Sequence, residues 1–379
     1  MLAWEVSNQR HRLVSSCSFY PDVRLATPLS TTILGAGLMG RLLALALARA
    51  GHRVQVFEAG GPEAEGAAAR VAAAMLAPLA ESAITETPVV QMGQHGLLRW
   101  PQLIAQLDAP VFFQQNGTLI LWHRQDAAEA ARFGQQLSAT RQQLPSLPAP
   151  QTLDAAAIAR LEPSIGSRFA QGLYLPCEGQ LDNRQLLAAL LLQLQKLQVT
   201  LHWHSPRQPE SCQADWVFDC RGLGARGQWP GLRAVRGEVL RLHAPGVELR
   251  RPVRLVHPRY PLYIAPKENN LFVVGATEIE SDDMSPMSVR SSLELLSAAY
   301  SVHSGFGEAR ILESNTQCRP TLPNNLPAIR QLAPRVLQIN GLYRHGFLIA
   351  PAMLDAVLEF MEKGHSALAA QWDLAIETE

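Results

Sequence analysis

The chain has 379 residues, of which 47% are hydrophobic and 17% are charged. This composition supplies a large core and excludes an intrinsically disordered chain, and the length favours two domains. Lysine plus arginine equals aspartate plus glutamate at 33 each, so the charge balance predicts no basic surface for nucleic acid or for an anionic membrane.

The N-terminal stretch and the cysteines bear on the cell compartment. Residues 1–30 are interrupted by arginines and lack the apolar core of a secretory signal, so we predict a disordered extension. No run of about 20 apolar residues suggests a membrane span. The five cysteines are scattered, and no pair has zinc spacing. These features together predict a protein of the reducing cytoplasm, without a membrane or metal site.

The first elements in chain order are a strand, a helix and a second strand. "TTILGAGLMG" begins at Thr31 and ends in a glycine-rich turn, and "LMGRLLALALARAGH" predicts a helix that ends before Gly51. "RVQVFEAG" predicts a second strand that ends at Glu58. This order is typical of a βαβ unit.

Three glycines in the turn, Gly35, Gly37 and Gly40, form the pattern G-A-G-L-M-G. The first permits a tight turn, the second lets a pyrophosphate approach the backbone, and the third lets the helix pack closely on the strand. Backbone N–H groups at the helix N-terminus, including those of Leu38 and Met39, can bind phosphate. The turn therefore predicts a dinucleotide site.

Glu58 strengthens that prediction, because an acid at the end of the second strand can bind an adenosine ribose. The motif itself does not distinguish NAD from FAD. In NAD dehydrogenases a catalytic domain usually follows as a block. Here a C-terminal strand, loop and helix are expected to complete the first domain, which favours FAD.

The later elements alternate between helices and strands. "TPVVQMGQHGLLRWPQLIAQL" and "QDAAEAARFGQQLSATRQQL" predict helices, and "VFFQQNGTLILWH" predicts a β-hairpin at its Asn-Gly turn. "DNRQLLAALLLQLQKLQVTLHWH" predicts a helix capped by Asp182 and a strand, and "ADWVFDCRGLGA" predicts another strand. Strands dominate from there until "VLQINGLYRHGFLIAPAMLDAVLEFMEKG", which predicts a strand, a loop and a long helix.

This order predicts an α/β (α+β) fold in which a β-rich substrate domain is inserted into a Rossmann-like FAD-binding domain. The predicted boundaries are an N-terminal extension at 1–30, an FAD-binding domain at 31–84, 181–227 and 316–379, and a substrate-binding domain at 85–180 and 228–315.

Five motifs resemble the ThiO-type glycine oxidases of the D-amino-acid oxidase family: "AAAMLAPLAE", "VRGEVL", "YIAPKENNLFVVGATE", "CRPTLPNNLPAI" and "NGLYRHGFLIAPA". The resemblance extends from Ile33 to about Gly364. It implies the D-amino-acid oxidase or glutathione-reductase type of fold, noncovalent FAD, and oxidation of the α-carbon of small amino acids. It also implies a role in making the imine of glycine for the thiazole of thiamin.

The resemblance assigns substrate roles to four residues. Arg319 matches the arginine that pairs with the substrate carboxylate, and a planar guanidinium suits such bidentate binding. Tyr263 matches the tyrosine that helps to hold that carboxylate, and Arg344 matches a second active-site arginine. Glu278 stands where a glycine oxidase has an apolar methionine; its carboxylate can repel the substrate carboxylate, attract a cationic group or face solvent, so the preferred amino acid stays open.

The resemblance also places backbone groups beside the flavin. The loop that enters the last helix can face the N1–C2=O edge, where negative charge develops on reduction. The small-residue segment of "AAAMLAP" can bring its amides to N5. The expected cofactor contacts from these segments, with one glycine from the strand end at "CRGLGA", are Ala73, Ala74, Met75, Gly222, His345, Gly346, Phe347 and Leu348. His345 is given no catalytic role.

The expected reaction is hydride transfer from the substrate Cα to flavin N5, followed by reoxidation with molecular oxygen. No acid–base side chain is needed, because the cofactor carries the chemistry. Cys318 leaves open a covalent flavin link as in sarcosine oxidases, although a buried free thiol is favoured. The expected partners are a small amino acid, oxygen and thiazole synthase, and a homo-oligomer is expected.

Three other interpretations remain at this stage. A D-amino-acid or imino-acid dehydrogenase that reduces a quinone would share the same motifs. An FAD domain of a tRNA-modifying enzyme would need a basic surface, which the composition does not supply. A flavin-binding protein without turnover would have no use for a carboxylate clamp at Arg319 and Tyr263.

Overall fold

The computed structural model describes residues 28–256 and 262–378. Most of the extension predicted at residues 1–30 therefore lies outside the described residues. The described segments fold into three β-sheets and the helices that cover them.

The strands of the described residues are β1 (Ser30–Leu34), β2 (Arg53–Phe57), β3 (Met75–Leu76), β4 (Phe113–Gln114), β5 (Thr118–Leu121), β6 (Gln151–Asp154), β7 (Gln171–Leu175), β8 (Gly179–Leu181), β9 (Thr200–His202), β10 (Trp216–Asp219), β11 (Arg233–His243), β12 (Val253–Leu255), β13 (Leu262–Pro266), β14 (Leu271–Gly275), β15 (Ile279–Glu280), β16 (Arg310–Thr321), β17 (Ala328–Ala333), β18 (Val336–Asn340) and β19 (Ala375–Thr378).

The α-helices of the same residues are α1 (Leu38–Arg49), α2 (Ala68–Val71), α3 (Pro78–Glu81), α4 (Thr87–Ile104), α5 (Ala127–Gln143), α6 (Ala155–Leu161), α7 (Asn183–Lys196), α8 (Val289–Val302), α9 (Gly346–Lys363) and α10 (Ala367–Gln371).

A seven-stranded sheet carries the predicted βαβ unit. Its order is β19-β17-β18-β10-β1-β2-β9, and β1 lies parallel to both β2 and β10. Ile33 and Phe218 of the two central strands are fully buried, as expected for parallel strands covered on both faces. The strands come from three separate stretches of the chain, which contribute β1 and β2, β9 and β10, and β17 to β19. Asp182 caps α7, since its carboxylate accepts hydrogen bonds from the N–H groups of Arg184 and Gln185.

Helix α4 packs on α9 and joins the core of this sheet. A Cβ added at Gly96 would lie 2.0 Å from the carbonyl oxygen of Leu348, so the two backbones are in close contact. The indole N–H of Trp100 donates to the carbonyl oxygen of Phe347 at 2.8 Å. This packing holds the start of α9 in place. It attaches α4 to the core of the seven-stranded sheet. The boundaries predicted from the sequence place α4 in the substrate-binding domain.

A nine-stranded sheet forms the second layer. Its order is β15-β11-β14-β13-β12-β5-β7-β6, and β16 pairs antiparallel with β11 along the whole length of β11. Helix α8 covers one face, where Leu295 is fully buried against Leu240 and Val274. Short strands β3, β8 and β4 form a third sheet. The exact domain boundaries stay a prediction.

The predicted β-hairpin at Asn116–Gly117 is wrong. The strands on either side belong to different sheets, because β4 pairs with β8 while β5 pairs with β7 and β12. The turn residues have partners elsewhere in the chain. The Asn116 side chain donates to the carbonyl oxygen of Arg250 at 2.6 Å, and the Gly117 N–H donates to that of Glu178 at 2.9 Å. These long-range contacts replace the local strand pairing that the Asn-Gly signal predicts.

Candidate active site and cofactor cavity

A cavity of 680 Å³ is lined by residues from both large sheets. Every residue that the sequence singles out for cofactor or substrate lines it, with the exception of Gly40. The structure thus brings together segments from positions 35 to 348 of the chain.

One end of the cavity is formed by the glycine-rich turn. Gly35 has a φ of +93°, and a Cβ there would lie 2.8 Å from the carbonyl oxygen of Cys220. Gly40 lies beneath the turn, where a Cβ would be only 1.9 Å from the carbonyl oxygen of Gly35. Helix α1 begins at Leu38 without a side-chain cap at Gly37. Its first N–H groups are therefore available to an anion such as a pyrophosphate.

The carboxylate of Glu58 lies beside the same turn. One oxygen accepts from the Ala36 N–H at 2.6 Å, and the other accepts from the Gly60 N–H at 2.9 Å. Because a carboxylate oxygen has two lone pairs, each retains capacity for a ribose hydroxyl. The carboxylate is thus fixed in orientation before any ligand binds.

The middle of the cavity is lined by small residues and by the start of α9. Residues 72–74 lie outside helix α2, and Ala74 adopts a left-handed backbone with φ of +52°. Residues 72–74 are therefore not part of an alanine-rich helix. Among the described residues, the N–H groups of Ala73 and Ala74 have no hydrogen-bond acceptor. The first turn of α9, from Gly346, presents further N–H groups without a side-chain cap.

Arg344 lies between two carboxylates at the other end of the cavity. Its Nη1 is 2.9 Å from Glu278 Oε2, and its Nε is 3.2 Å from Glu81 Oε2. The Tyr343 hydroxyl also donates to Glu278, at 2.6 Å. Arg254 pairs with Glu81 from behind at 3.1 Å. The positive charges of Arg344 and Arg254 are therefore balanced by the carboxylates of Glu278 and Glu81.

This cluster fixes the protonation of its buried members. Burial raises the pKa of Glu81, but Arg344, Arg254 and His345 outweigh burial and lower that pKa to about 2. Burial lowers the pKa of His345 to about 4, although Glu81 lies 3.4 Å away. At neutral pH Glu81 is thus an anion and His345 is neutral.

Arg319 differs from Arg344 because it has no carboxylate partner among the described residues. Its guanidinium donates to the carbonyl oxygens of Thr277 and Arg236, at 3.1 and 3.4 Å. A Cβ at Gly237 would lie 2.4 Å from Arg319 Nη2, so glycine makes room for the side chain. Burial lowers the pKa of Arg319 and raises that of Tyr263, which also lines the cavity. The substrate end of the cavity therefore contains a cation that is available to an anionic ligand.

Several residues that line the cavity were given no role from the sequence. Glu81 lies in the quoted motif "AAAMLAPLAE" but receives no role there, because its arginine partners are far away in sequence. Tyr343 and Gly237 also lie inside quoted motifs, and only the folded arrangement relates them to Glu278 and Arg319. The thiol of Cys318 lies 3.6 Å from the carbonyl oxygen of Ser281, and Cys318 also lines the cavity. A free thiol at Cys318 stays a prediction.

Behind this cluster lies Glu178, a carboxyl that is 1% exposed. Its Oε1 accepts from the Ala80 N–H at 2.8 Å, and its Oε2 has no partner among the described residues. Burial raises the pKa of Glu178 from 4.5 to about 7. The native protein therefore binds a proton between these pH values that the unfolded chain releases.

We expect Glu178→Gln to remove this pH dependence. In the unchanged protein, Glu178 should lower the free energy of unfolding as pH rises from 4.5 through 7, by on the order of 3 kcal/mol at 1.36 kcal/mol per pKa unit. Urea unfolding at pH 5 and pH 8 measures the difference. Glu377→Gln, at an exposed position, is the control. The same slope for Glu178→Gln and for the unchanged protein would contradict the assignment.

The cavity residues fit FAD. The glycine-rich turn and the open end of α1 suit a pyrophosphate, and Glu58 is placed for a ribose. The unpaired N–H groups of Ala73 and Ala74 suit the polar edge of a flavin ring.

Among the helices of the described residues, none combines the length and the apolar character that a membrane span needs.

Known proteins that resemble this chain include FAD-dependent oxidoreductases, which fits a cavity suited to FAD. The family model described as "DAO: FAD dependent oxidoreductase" matches residues 30–357. A Rhizobium etli protein that carries the name thiamine biosynthesis oxidoreductase ThiO is 42% identical over 323 residues, which are 85% of this chain and 93% of the relative.

Two solved structures share the fold. Glycine oxidase from Geobacillus kaustophilus has a TM-score of 0.75 at 24% identity and covers 91% of this chain and 98% of its own. Iminodiacetate oxidase from Chelativorans sp. BNC1 also has a TM-score of 0.75, at 21% identity, and covers 91% of this chain and 99% of its own. The predicted fold class is thereby confirmed.

Proposed function

The chain belongs to the DAO family of FAD-dependent oxidoreductases, and we propose that it oxidises the α-carbon of glycine or of another small amino acid. The observation that carries this proposal is Arg319. Its half-buried guanidinium lies on the cavity wall without a carboxylate partner among the described residues, and the backbone N–H groups of Ala73 and Ala74, which suit a flavin, line the same cavity.

Arg319 and Tyr263 are proposed to hold the substrate carboxylate. The guanidinium supplies two parallel N–H donors, which fix the orientation of the carboxylate as well as its position. The Tyr263 hydroxyl is a second donor, and burial keeps it protonated by raising its pKa. FAD, when bound, supplies the hydride acceptor at N5. The side chains then contribute mainly by orienting the substrate Cα.

No side chain of the cluster is well placed to act as a base. His345 is neutral but buried and 3.4 Å from Glu81, and Glu81 is itself held between Arg344 and Arg254. The substrate amine is therefore proposed to enter as the free base. The positive end of α9, beginning at Gly346, is proposed to stabilise negative charge on the reduced cofactor.

Glu278 is proposed to set the preference for substrates with one carboxylate. It occupies Arg344 Nη1 at 2.9 Å and the Tyr343 hydroxyl at 2.6 Å, so Arg344 has little capacity for a second carboxylate. A dicarboxylic amine such as iminodiacetate would also face the negative charge of Glu278. Repulsion of this kind is an effective source of specificity.

We expect Glu278→Met to relax this preference. The change frees a donor face of Arg344, so kcat/KM for iminodiacetate relative to glycine should rise about tenfold, equivalent to about 1.4 kcal/mol. Steady-state kinetics with both amines measures the ratio. Glu280→Met, two residues away and paired with Arg233 outside the cavity, is the matched control. An unchanged ratio in Glu278→Met would contradict the role of Glu278.

The electron acceptor is proposed to be molecular oxygen. The test is to incubate the FAD-loaded protein with glycine in air and to measure hydrogen peroxide, glyoxylate and ammonia together. Equal amounts of all three are expected. Substrate turnover that requires an added quinone and yields little peroxide would overturn the oxidase proposal in favour of a dehydrogenase.

The likeness to the Rhizobium etli relative and its name support a role in thiamine biosynthesis. We propose that the imine product serves thiazole formation, with hand-off to a thiazole synthase before water hydrolyses it. A cytoplasmic location and a homo-oligomer remain parts of this proposal.

A further inference from the structure

Lys267 is a buried lysine just outside the cofactor cavity, and the proposed mechanism does not use it. It follows β13 directly and is only 7% exposed. Its ammonium donates three hydrogen bonds: to the carbonyl oxygens of Ala73 at 2.9 Å and Leu181 at 2.7 Å, and to Gln180 Oε1 at 3.0 Å. All three of its protons are therefore used, and they connect three separate segments.

The carbonyl group of Ala73 is the contact that reaches the cavity. Ala73 and Ala74 both line the cavity, and their N–H groups have no acceptor among the described residues. Lys267 holds the Ala73 carbonyl, and the Leu181 N–H donates to the Ala74 carbonyl at 3.1 Å. Both carbonyl groups of this dipeptide thus have partners in the protein, while both of its N–H groups are left for a ligand.

The backbone here needs such support. Ala74 has a φ of +52°, a left-handed conformation that is strained for a residue with a Cβ. Asn183 fixes the preceding turn, because its side-chain amide donates to the carbonyl oxygens of Ala69 at 2.9 Å and Arg70 at 2.7 Å. The segment is therefore held from behind by two buried side chains.

The charge of Lys267 adds a second effect. Asp182 and Arg241 are its charged neighbours, and they form a pair with each other at 3.8 Å. Burial lowers the pKa of Lys267 to about 7. Its protonated form places a positive charge behind the cavity wall, where it favours negative charge on a bound cofactor.

We propose that Lys267 is a positioning residue for the cofactor: it holds the strained Ala73–Ala74 backbone so that the two N–H groups face the flavin ring. The proposal rests on FAD as cofactor and does not depend on the identity of the substrate. It predicts that Lys267 affects the affinity and the reduction potential of FAD more than the binding of the amine.

The test compares Lys267→Met with Lys363→Met, an exposed lysine that pairs with Glu359. The apoprotein is titrated with FAD by fluorescence, and the midpoint potential of the bound flavin is measured against a reference dye. Lys267→Met should weaken FAD binding at least tenfold and make the potential more negative. KM for glycine should stay within twofold. Lys363→Met should change none of these quantities.

An FAD affinity within twofold of the unchanged protein would overturn the proposal, and so would weaker binding with an unchanged potential. If apo Lys267→Met does not give the circular dichroism of the unchanged apoprotein, Gln180→Met is measured instead. It removes one acceptor of the ammonium and keeps the charge. We expect FAD binding about threefold weaker in Gln180→Met, and an unchanged affinity there would also overturn the proposal.

Discussion

Replacing Arg319 with leucine is expected to lower kcat/KM for glycine by about a thousandfold, which corresponds to about 4 kcal/mol. Arg319 has no carboxylate partner among the described residues, whereas Arg344 is shared by Glu81 and Glu278. Without Arg319 the substrate carboxylate loses its guanidinium partner and enters a cavity lined by the carboxylates of Glu81 and Glu278. Steady-state kinetics measures the loss, and FAD binding should stay within threefold.

Two variants separate charge from orientation at this position. Arg319→Lys keeps the charge but loses the planar fork, so it should recover binding of glycine more than kcat. Arg310→Leu removes an exposed arginine from the start of the same strand and should leave the kinetics unchanged. A loss of less than tenfold in Arg319→Leu would contradict the carboxylate clamp.

Replacing Gly40 with alanine is expected to have the largest effect on the cofactor turn. The new Cβ would lie 1.9 Å from the carbonyl oxygen of Gly35, which is backbone and cannot rotate away. The helix must then shift from β1, so we expect a loss of about 3 kcal/mol in the free energy of unfolding and FAD binding at least a hundredfold weaker. Urea unfolding and FAD titration measure the two effects.

Two other glycines give matched controls for Gly40→Ala. Gly134 lies in α5 with no atom near its Cβ position, so Gly134→Ala should stabilise the protein by up to about 1 kcal/mol. A Cβ at Gly37 would meet only Ala67 Cβ, at 3.7 Å. Gly37→Ala should therefore leave the apoprotein stable and weaken FAD binding, because it obstructs the pyrophosphate. Equal FAD affinity in Gly37→Ala and the unchanged protein would contradict the placement of the pyrophosphate.

The cofactor turn could be predicted from sequence because its causes are local. The glycines, the apolar strand and the helix signals lie within about 30 residues. The spacing of Gly35, Gly37 and Gly40 is the spacing that a tight turn, a close pyrophosphate and close helix packing require. The structure gives that reason at Gly40, where no side chain fits. The capped helix after Asp182 and the long C-terminal helix were predictable for the same reason.

The ion network at the substrate end was not predictable, because its members are connected only by the fold. Glu81, Arg254, Glu278 and Arg344 come from four separate segments, and no local pattern states which carboxylate faces which guanidinium. The prediction of a β-hairpin at Asn116–Gly117 was wrong for a related reason. Its hairpin signal is local, but long-range hydrogen bonds assign the flanking strands to different sheets.

The central claim is that this chain oxidises a small amino acid by transfer of hydride to bound FAD. Anaerobic titration of the FAD-loaded protein with glycine tests it most directly. The visible absorbance of the flavin is followed, and sarcosine and D-proline are titrated in parallel. We predict bleaching by glycine and recovery of the absorbance when air is admitted. A yellow protein that none of the three amines bleaches would contradict the claim.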